Sequence, residues 1–357
     1  MPFSQLVYDM TRWMPGIYRF PFSYLWFGGA KEKERMEQAI RTALLHHPVF
    51  QVRVDWRGRQ YAAPLKDILH GPYHDIQLTT NGEDLIISLI ISRILGDGKS
   101  GELLLEDIQR VYRGEALEPD DYWGYLEFVE HQKMSQHYSD SKEWLEREFA
   151  DESIPVRPTI DRRLWTLLPS KAGLRKSDFS DLKEKINALA ETQYLSMDGF
   201  FSLCAALAIA EYCGTVAAAL TWAYEGRERP EEQRIFGSLH RDIPFQIKNL
   251  QSPISNLKSD LIKFARNQIR SGIAHSDYPY TLTAPYNKRW NYAVNVLRVP
   301  DMEYEQKYAY ALLDIEIHED VDRLELWYRY SATHYKESSI HRFAALVRKY
   351  AEWLLEE

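Results

Sequence analysis

The chain has 357 residues, 45% hydrophobic and 27% charged, with a formal net charge of −8. That length exceeds one ordinary core and suits two linked domains or one pseudo-symmetric unit, and the composition excludes long disorder. An acidic surface without a long basic run argues against nucleic acid as a partner. Cys204 and Cys213, the only two cysteines, fit no zinc spacing and are expected as free thiols in a reducing cytosol. The N-terminal residues lack the basic and apolar regions of a signal peptide. The most apolar stretch, Phe200 to Trp222, carries Glu211 and reads as a buried helix followed by a strand, not as a membrane span. The expectation is a soluble cytoplasmic protein with no membrane contact.

In chain order, the spacing predicts a first helix over 31–46, with Met36, Ala39, Ile40, Ala43 and Leu44 on one face. Pro48 ends it. Phe50, Val52 and Val54 alternate with Gln51, Arg53 and Asp55 as a half-buried strand, and Arg57-Gly58 turns into a partner strand. Asn81-Gly82 marks another turn, followed by the apolar run Leu85 to Ile91, which reads as a strand covered on both faces. It ends at Arg93. A Gly96-Asp97-Gly98 turn leads into a helix burying Leu104, Ile108, Val111 and Tyr112. Two further helices are predicted over 122–134 and 141–149, and the prolines of 154–158 suggest an extended link between halves, with a domain boundary after residue 158.

Beyond the link, helices are predicted over 176–191 and 197–212, a strand over 218–224 and a polar loop over 226–230. A helix over 255–270, an extended segment over 291–299 and strands over 311–317 and 324–330 follow. A terminal helix carries Ile340, Phe343, Ala344, Val347 and Ala351 on one face. Strands and helices mix without strict βαβ order, so the fold class is α+β.

Several of these segments resemble, in order, the motifs of nonribosomal-peptide condensation domains. His46-His47-Pro48-Val49-Phe50-Gln51-Val52-Arg53-Val54 resembles the family's Arg-His-Glu-x-Leu-Arg-Thr-x-Phe element. Ser92-Arg93-Ile94-Leu95-Gly96-Asp97-Gly98 lies where the family has His-His-x-x-x-Asp-Gly. Tyr125 to Val129, Gly226-Arg227-Glu228-Arg229-Pro230, Ile235-Phe236-Gly237 with Ile243-Pro244-Phe245, and His275-Ser276-Asp277-Tyr278-Pro279-Tyr280 are similar to further elements. The resemblance implies two chloramphenicol-acetyltransferase-like lobes, 1–158 and 159–357, arranged as a V around a central tunnel. It also implies a pantetheine-borne substrate, either a phosphopantetheine thioester or acyl-CoA, with no tightly bound cofactor or metal.

In active relatives the second histidine of the motif assists attack on a thioester, which needs an acceptor nitrogen near neutral pH. That position here is Arg93. A guanidinium stays protonated and cannot take a proton, although it can hold a carboxylate, a phosphate or an oxyanion. Ser92 replaces the first histidine. The resemblance gives Asp97 a structural role, paired with an arginine, for which Arg53 is the candidate; Gly98, as a glycine, is expected to supply an unusual backbone angle, with a free amide toward the tunnel as the alternative. His240, Arg241, Tyr278 and Asn291 are candidate tunnel residues. His46, His47 and His275 read as structural.

Three functions follow from this pattern. The first is a catalytically degenerate protein that binds a peptidyl or acyl carrier protein, an acyl thioester or a tailoring enzyme. The X domains of glycopeptide synthetases are similar in carrying arginine at the same position. The alternative is an active acyltransferase forming an amide or ester by positioning, with Arg93 supplying electrostatics. The third is a module whose channel Arg93 plugs. A monomer is the default, because two lobes in one chain already supply both sides of a site.

Overall fold

The computed structural model describes residues 19–26, 28–55, 60–64, 66–93, 95–162, 170–249, 258–279, 293–299, 309 and 311–356. These divide into two compact units. The first holds the described residues through His131 together with Glu225–His240; the second holds Gln132–Tyr224 and the described residues from Arg241 onward. This division differs from a single cut after residue 158. Ile154 and Val156 are buried, and the carbonyls of Pro155 and Val156 accept hydrogen bonds from the amides of Ala219 and Val294, each at 2.9 Å. The proline segment is therefore fastened to the second unit's sheet and is not a free linker.

The first unit contains β1 (Arg19–Trp26), α1 (Lys33–His46), β2 (Val52–Val54), β3 (Gln60–Ala62), β4 (His74–Asn81), β5 (Asp84–Ser92), α2 (Gly98–Arg113) and α3 (Tyr122–Gln132). The expected strand start at Phe50 is instead a 3-10 turn over Pro48–Gln51, because Pro48 occupies the first position of that turn. The predicted Arg57-Gly58 turn lies outside the described residues. β5 is the centre of an antiparallel sheet ordered β1-β5-β4, and β4 returns through a two-residue turn in which Gly82 has φ 65°. Leu85, Ile87, Leu89 and Ile91 are buried against α1 and α2, whereas Ile86, Ser88 and Ile90 are half-buried. One face of β5 thus carries the core, where the continuous apolar run suggested full cover on both. Along α2, Leu104 and Ile108 are buried, while Val111 and Tyr112 are half-buried.

The second unit contains α4 (Gln136–Glu148), β6 (Ala172–Asp178), α5 (Lys183–Gln193), α6 (Met197–Cys213), β7 (Ala218–Tyr224), β8 (Arg241–Ile247), α7 (Lys258–Ala274), β9 (Asn295–Arg298), β10 (Leu313–Glu319), β11 (Leu324–Ser331) and α8 (Glu337–Leu355). Its sheet runs β6-β11-β10-β9-β7-β8, antiparallel except where β9 pairs with β10 and β7. The predicted helix over 176–191 is a strand at its start. Ala172 to Asp178 pair with β11 as the edge of the sheet, with Leu174, Lys176 and Asp178 exposed and Arg175 and Ser177 half-buried. α6 is buried from Met197 to Ala210 apart from Asp198, which is why its sequence is apolar all round. Glu211 escapes at its C-terminal end and pairs with Lys349 at 2.7 Å. No single described helix is long and apolar enough to cross a membrane. Mixed helices and sheets in each unit match the α+β class expected.

Candidate functional site

The motif begins where β5 stops. Ser92 is fully buried, and its amide donates to the Tyr73 carbonyl at 2.8 Å. Its own carbonyl accepts from the amides of Leu95 at 2.9 Å and Gly96 at 3.4 Å, which closes a tight loop. Arg93 is the first residue past the strand and is half-buried. Asp97 then caps α2. Its Oδ1 accepts from the Ser100 amide at 3.0 Å, and the Ser100 hydroxyl accepts from the Asp97 amide at 3.2 Å, a reciprocal capping box.

Asp97 does more than cap a helix. Arg227 Nη1 donates to its Oδ2 at 3.0 Å and Nη2 to its Oδ1 at 3.1 Å, a two-pronged pair in which both side chains are buried. The amides of Leu239 and His240 donate to Oδ2 at 2.9 and 3.1 Å. Burial alone pushes a carboxylate up, but the charge and hydrogen bonds of Arg227, with His240 and Ser100, outweigh it and hold Asp97 below the usual carboxylate range. Arg227 also donates to the carbonyls of Ile235 and Gly237, and Ser100 Oγ lies 2.8 Å from the Gly237 carbonyl. The partner expected at Arg53 is therefore Arg227. Arg53 lies on β2 and donates to its neighbour's carbonyl, Val52 O, at 2.8 Å.

Arg227 arrives on Glu225–His240, a segment between β7 and β8 that packs in the first unit. Gly226, with φ 72°, turns the chain into it. Glu232 is buried and accepts from the amides of Glu228 and Arg229, each at 2.9 Å, so the segment is braced internally. Farther along, Arg234 pairs with Asp107, and Phe236 is fully buried with its ring 4.8 Å from Phe50 and 5.1 Å from His47. The Phe236 amide donates to Asp120 Oδ2 at 3.2 Å. A methyl placed on Gly96 would come within 2.8 Å of Ser100 Cβ and 2.9 Å of Phe236 Cε1. Gly96 is thus the glycine that packing demands. Gly98, expected to hold an unusual angle, is the first residue of α2 and has no positive φ.

Ser92, Arg93, Asp97 and Gly98 share the first unit with His240, whose ring nitrogen Nδ1 lies 3.3 Å from Ser238 Oγ. Arg241 and Tyr278 belong to the second unit. There Arg241 donates to Ser276 Oγ at 2.8 Å, and Tyr278 is buried edge-on against Tyr138 at 4.9 Å. Burial, with Glu146 nearby, pushes the Tyr278 hydroxyl up. His275 hydrogen-bonds the Ser271 carbonyl through Nδ1 at 2.8 Å and stacks on Trp144 at 4.4 Å. Asn291 lies outside the described residues. Among the described residues no group of three His, Cys, Asp or Glu side chains is placed to hold a metal ion.

Residues 93–295, more than half of the chain, match the family model described as Condensation domain. No curated protein sequence matches at a significant level. Among solved structures, the chain is similar to the epimerization domain from the third module of tyrocidine synthetase B, with TM-score 0.79, 15% identity and 99% and 96% of the two chains covered. It is similar to the starter condensation domain of a rhizomide synthetase variant in complex with C8-CoA, with TM-score 0.78, 13% identity and coverage of 99% and 94%. It is also similar to SgcC5 protein from Streptomyces globisporus, with TM-score 0.75, 13% identity and coverage of 95% and 91%. At such identities these structures speak to the fold, and the family match speaks to membership: the chain belongs to the condensation-domain family.

Proposed function

We propose that this protein binds an acyl thioester carried on a pantetheine arm, on a carrier protein or on coenzyme A, without performing base-assisted condensation. The observation that supports this reading is a motif loop whose frame is complete around Asp97 while the position of the base is Arg93. A frame held by six hydrogen-bond contacts to one buried carboxylate has not decayed. What has changed is the chemistry beside it. A guanidinium donates from five N–H groups and accepts nothing, so it is suited to an anion such as a pantetheine phosphate or an acceptor carboxylate. Condensation domains of peptide synthetases work with carrier-protein domains, and one structurally similar relative was solved with C8-CoA. Both are consistent with a pantetheine-borne ligand.

The test uses the full chain with octanoyl-CoA and with an octanoyl-loaded carrier protein. Binding is followed by calorimetry, and product by mass spectrometry after adding an amine acceptor. Binding is expected without amide formation, and Arg93→Ala is expected to weaken it about tenfold, the loss of one charge-assisted hydrogen bond or more. Turnover that Arg93→Ala abolishes would overturn the non-catalytic reading in favour of an acyltransferase working by positioning and Arg93 electrostatics.

A further inference from the structure

The segment Glu225–His240 is fastened to the first unit at two places, and the second involves a histidine the motif does not use. His47 is 1% exposed. Its Nδ1 hydrogen-bonds Asp120 Oδ2 at 2.7 Å, and its Nε2 lies 3.2 Å from Asp107 Oδ2, at ion-pair distance but without hydrogen-bond geometry. A neutral imidazole carries one N–H, so one of these nitrogens would set a lone pair against a carboxylate oxygen. Two buried carboxylates on opposite nitrogens call for a proton on each.

The surrounding groups point the same way. Asp107 on α2 also takes Arg234, and Asp120 Oδ2 also takes the Phe236 amide at 3.2 Å. Asp120 Oδ1 is buried and accepts no hydrogen bond, so this carboxylate is compensated through Oδ2 alone. From α1, the His46 ring lies 5.4 Å away and hydrogen-bonds the Glu118 carbonyl at 2.6 Å. Glu106, itself exposed, also pairs with Arg234 at 2.9 Å, Glu118 and Arg110 lie farther out, and Phe50 and Phe236 close the remaining sides. With His47 protonated, the inner four groups sum to zero: Asp107 and Asp120 against Arg234 and His47. Without that proton the group carries a buried negative charge, and the one remaining N–H can serve Asp120 or Asp107 but not both.

We propose that His47 is an imidazolium clasp that holds the Arg234–Phe236 part of the segment on the first unit and releases it when the ring loses a proton. Burial by itself lowers the ring's proton affinity, but the hydrogen bonds and charges of Asp107 and Asp120 outweigh it and leave the affinity above that of an ordinary histidine. A raised value means that the clasp is fully closed below the ordinary histidine range and opens as pH rises through the folded value. The Asp97–Arg227 fastening responds in the opposite sense and weakens in acid. The segment is therefore secured over a window bounded on both sides.

The experiment reads the full chain labelled with nitrogen-15 at histidine. Ring nitrogen shifts are recorded from about pH 6 to about pH 10, and amide exchange of the peptides covering 228–240 is measured in parallel. Both His47 nitrogens are expected to be protonated at about pH 7. Exchange across 228–240, corrected for its intrinsic pH dependence, is expected to accelerate at least about tenfold as the ring titrates, while α8 stays unchanged. Asp120→Asn keeps the histidine and removes one carboxylate, so the ring's midpoint and the exchange transition are expected to fall together. A neutral ring at about pH 7, or exchange that ignores the ring's titration in the unmutated protein, would overturn the proposal.

Discussion

Replacing Arg227 with methionine tests whether one carboxylate organises the motif. Methionine keeps much of the length and removes every donor. Asp97 would retain the amides of Ser100, Leu239 and His240 and the Ser100 hydroxyl, but lose both guanidinium contacts, at 3.0 and 3.1 Å. The carbonyls of Ile235 and Gly237 would each lose a donor as well. Breaking a buried pair from one side costs roughly 3–5 kcal/mol. The four donors left on Asp97 argue for the lower end, about 3 kcal/mol, or a hundredfold or more in the local opening equilibrium. Hydrogen exchange of 225–240 and 92–100 reads that opening directly, which matters because a chain of two units need not unfold in one step. Asp97→Asn/Arg227→Met removes the stranded charge, so its loss is expected to fall short of the two single losses added together by at least about 1 kcal/mol. Because Asp97 is held low in the folded protein, its contribution is present above the ordinary carboxylate range and lost as pH falls through the lowered value. Arg227→Met should accordingly move the acid transition of these peptides to higher pH. A single-variant loss under about 1 kcal/mol, or strictly additive losses, would refute the reasoning.

Gly96→Ala places a methyl against Ser100 Cβ and Phe236 Cε1, neither at the end of a flexible chain, and is expected to cost about 1–3 kcal/mol in thermal denaturation. Gly98→Ala, at the first position of α2 without a positive φ, should cost far less, and equal losses would contradict the packing argument. Phe236→Ala empties a fully buried ring site beside Phe50 and His47 and is expected to cost about 3–5 kcal/mol, with faster exchange across 228–240 as its local sign. Unchanged exchange there would show that the ring does not anchor the segment.

Much of this architecture is local and legible in residue order. The run Leu85 to Ile91 reads as a strand because β-branched and aliphatic residues crowd a pleated surface, and Asn81-Gly82 reads as its turn because glycine tolerates a positive φ. The helix after Asp97 follows from an aspartate three residues ahead of a serine before an apolar helical spacing, a capping arrangement written within four residues. The inability of Arg93 to act as a base is likewise a property of the side chain itself, since no neighbour gives a guanidinium an acceptor.

What sequence alone left undecided depends on distance along the chain. The partner of Asp97 lies 130 residues away, and residue order does not distinguish Arg53 from Arg227 in that role. Packing chose Arg227, because the return of Glu225–His240 to the first unit places its guanidinium against the α2 cap. The same return makes Gly96 indispensable by seating Phe236 over it, and packing within the first 131 residues sets His47 between two carboxylates that no motif joins. Residues 172–178 became an edge strand only because β11 offers them hydrogen bonds. The motif's resemblance and the arginine at position 93 were written in the sequence. The means by which its loop is held was decided by tertiary structure, because burying Asp97 requires opposite charge from wherever the folded chain can bring it.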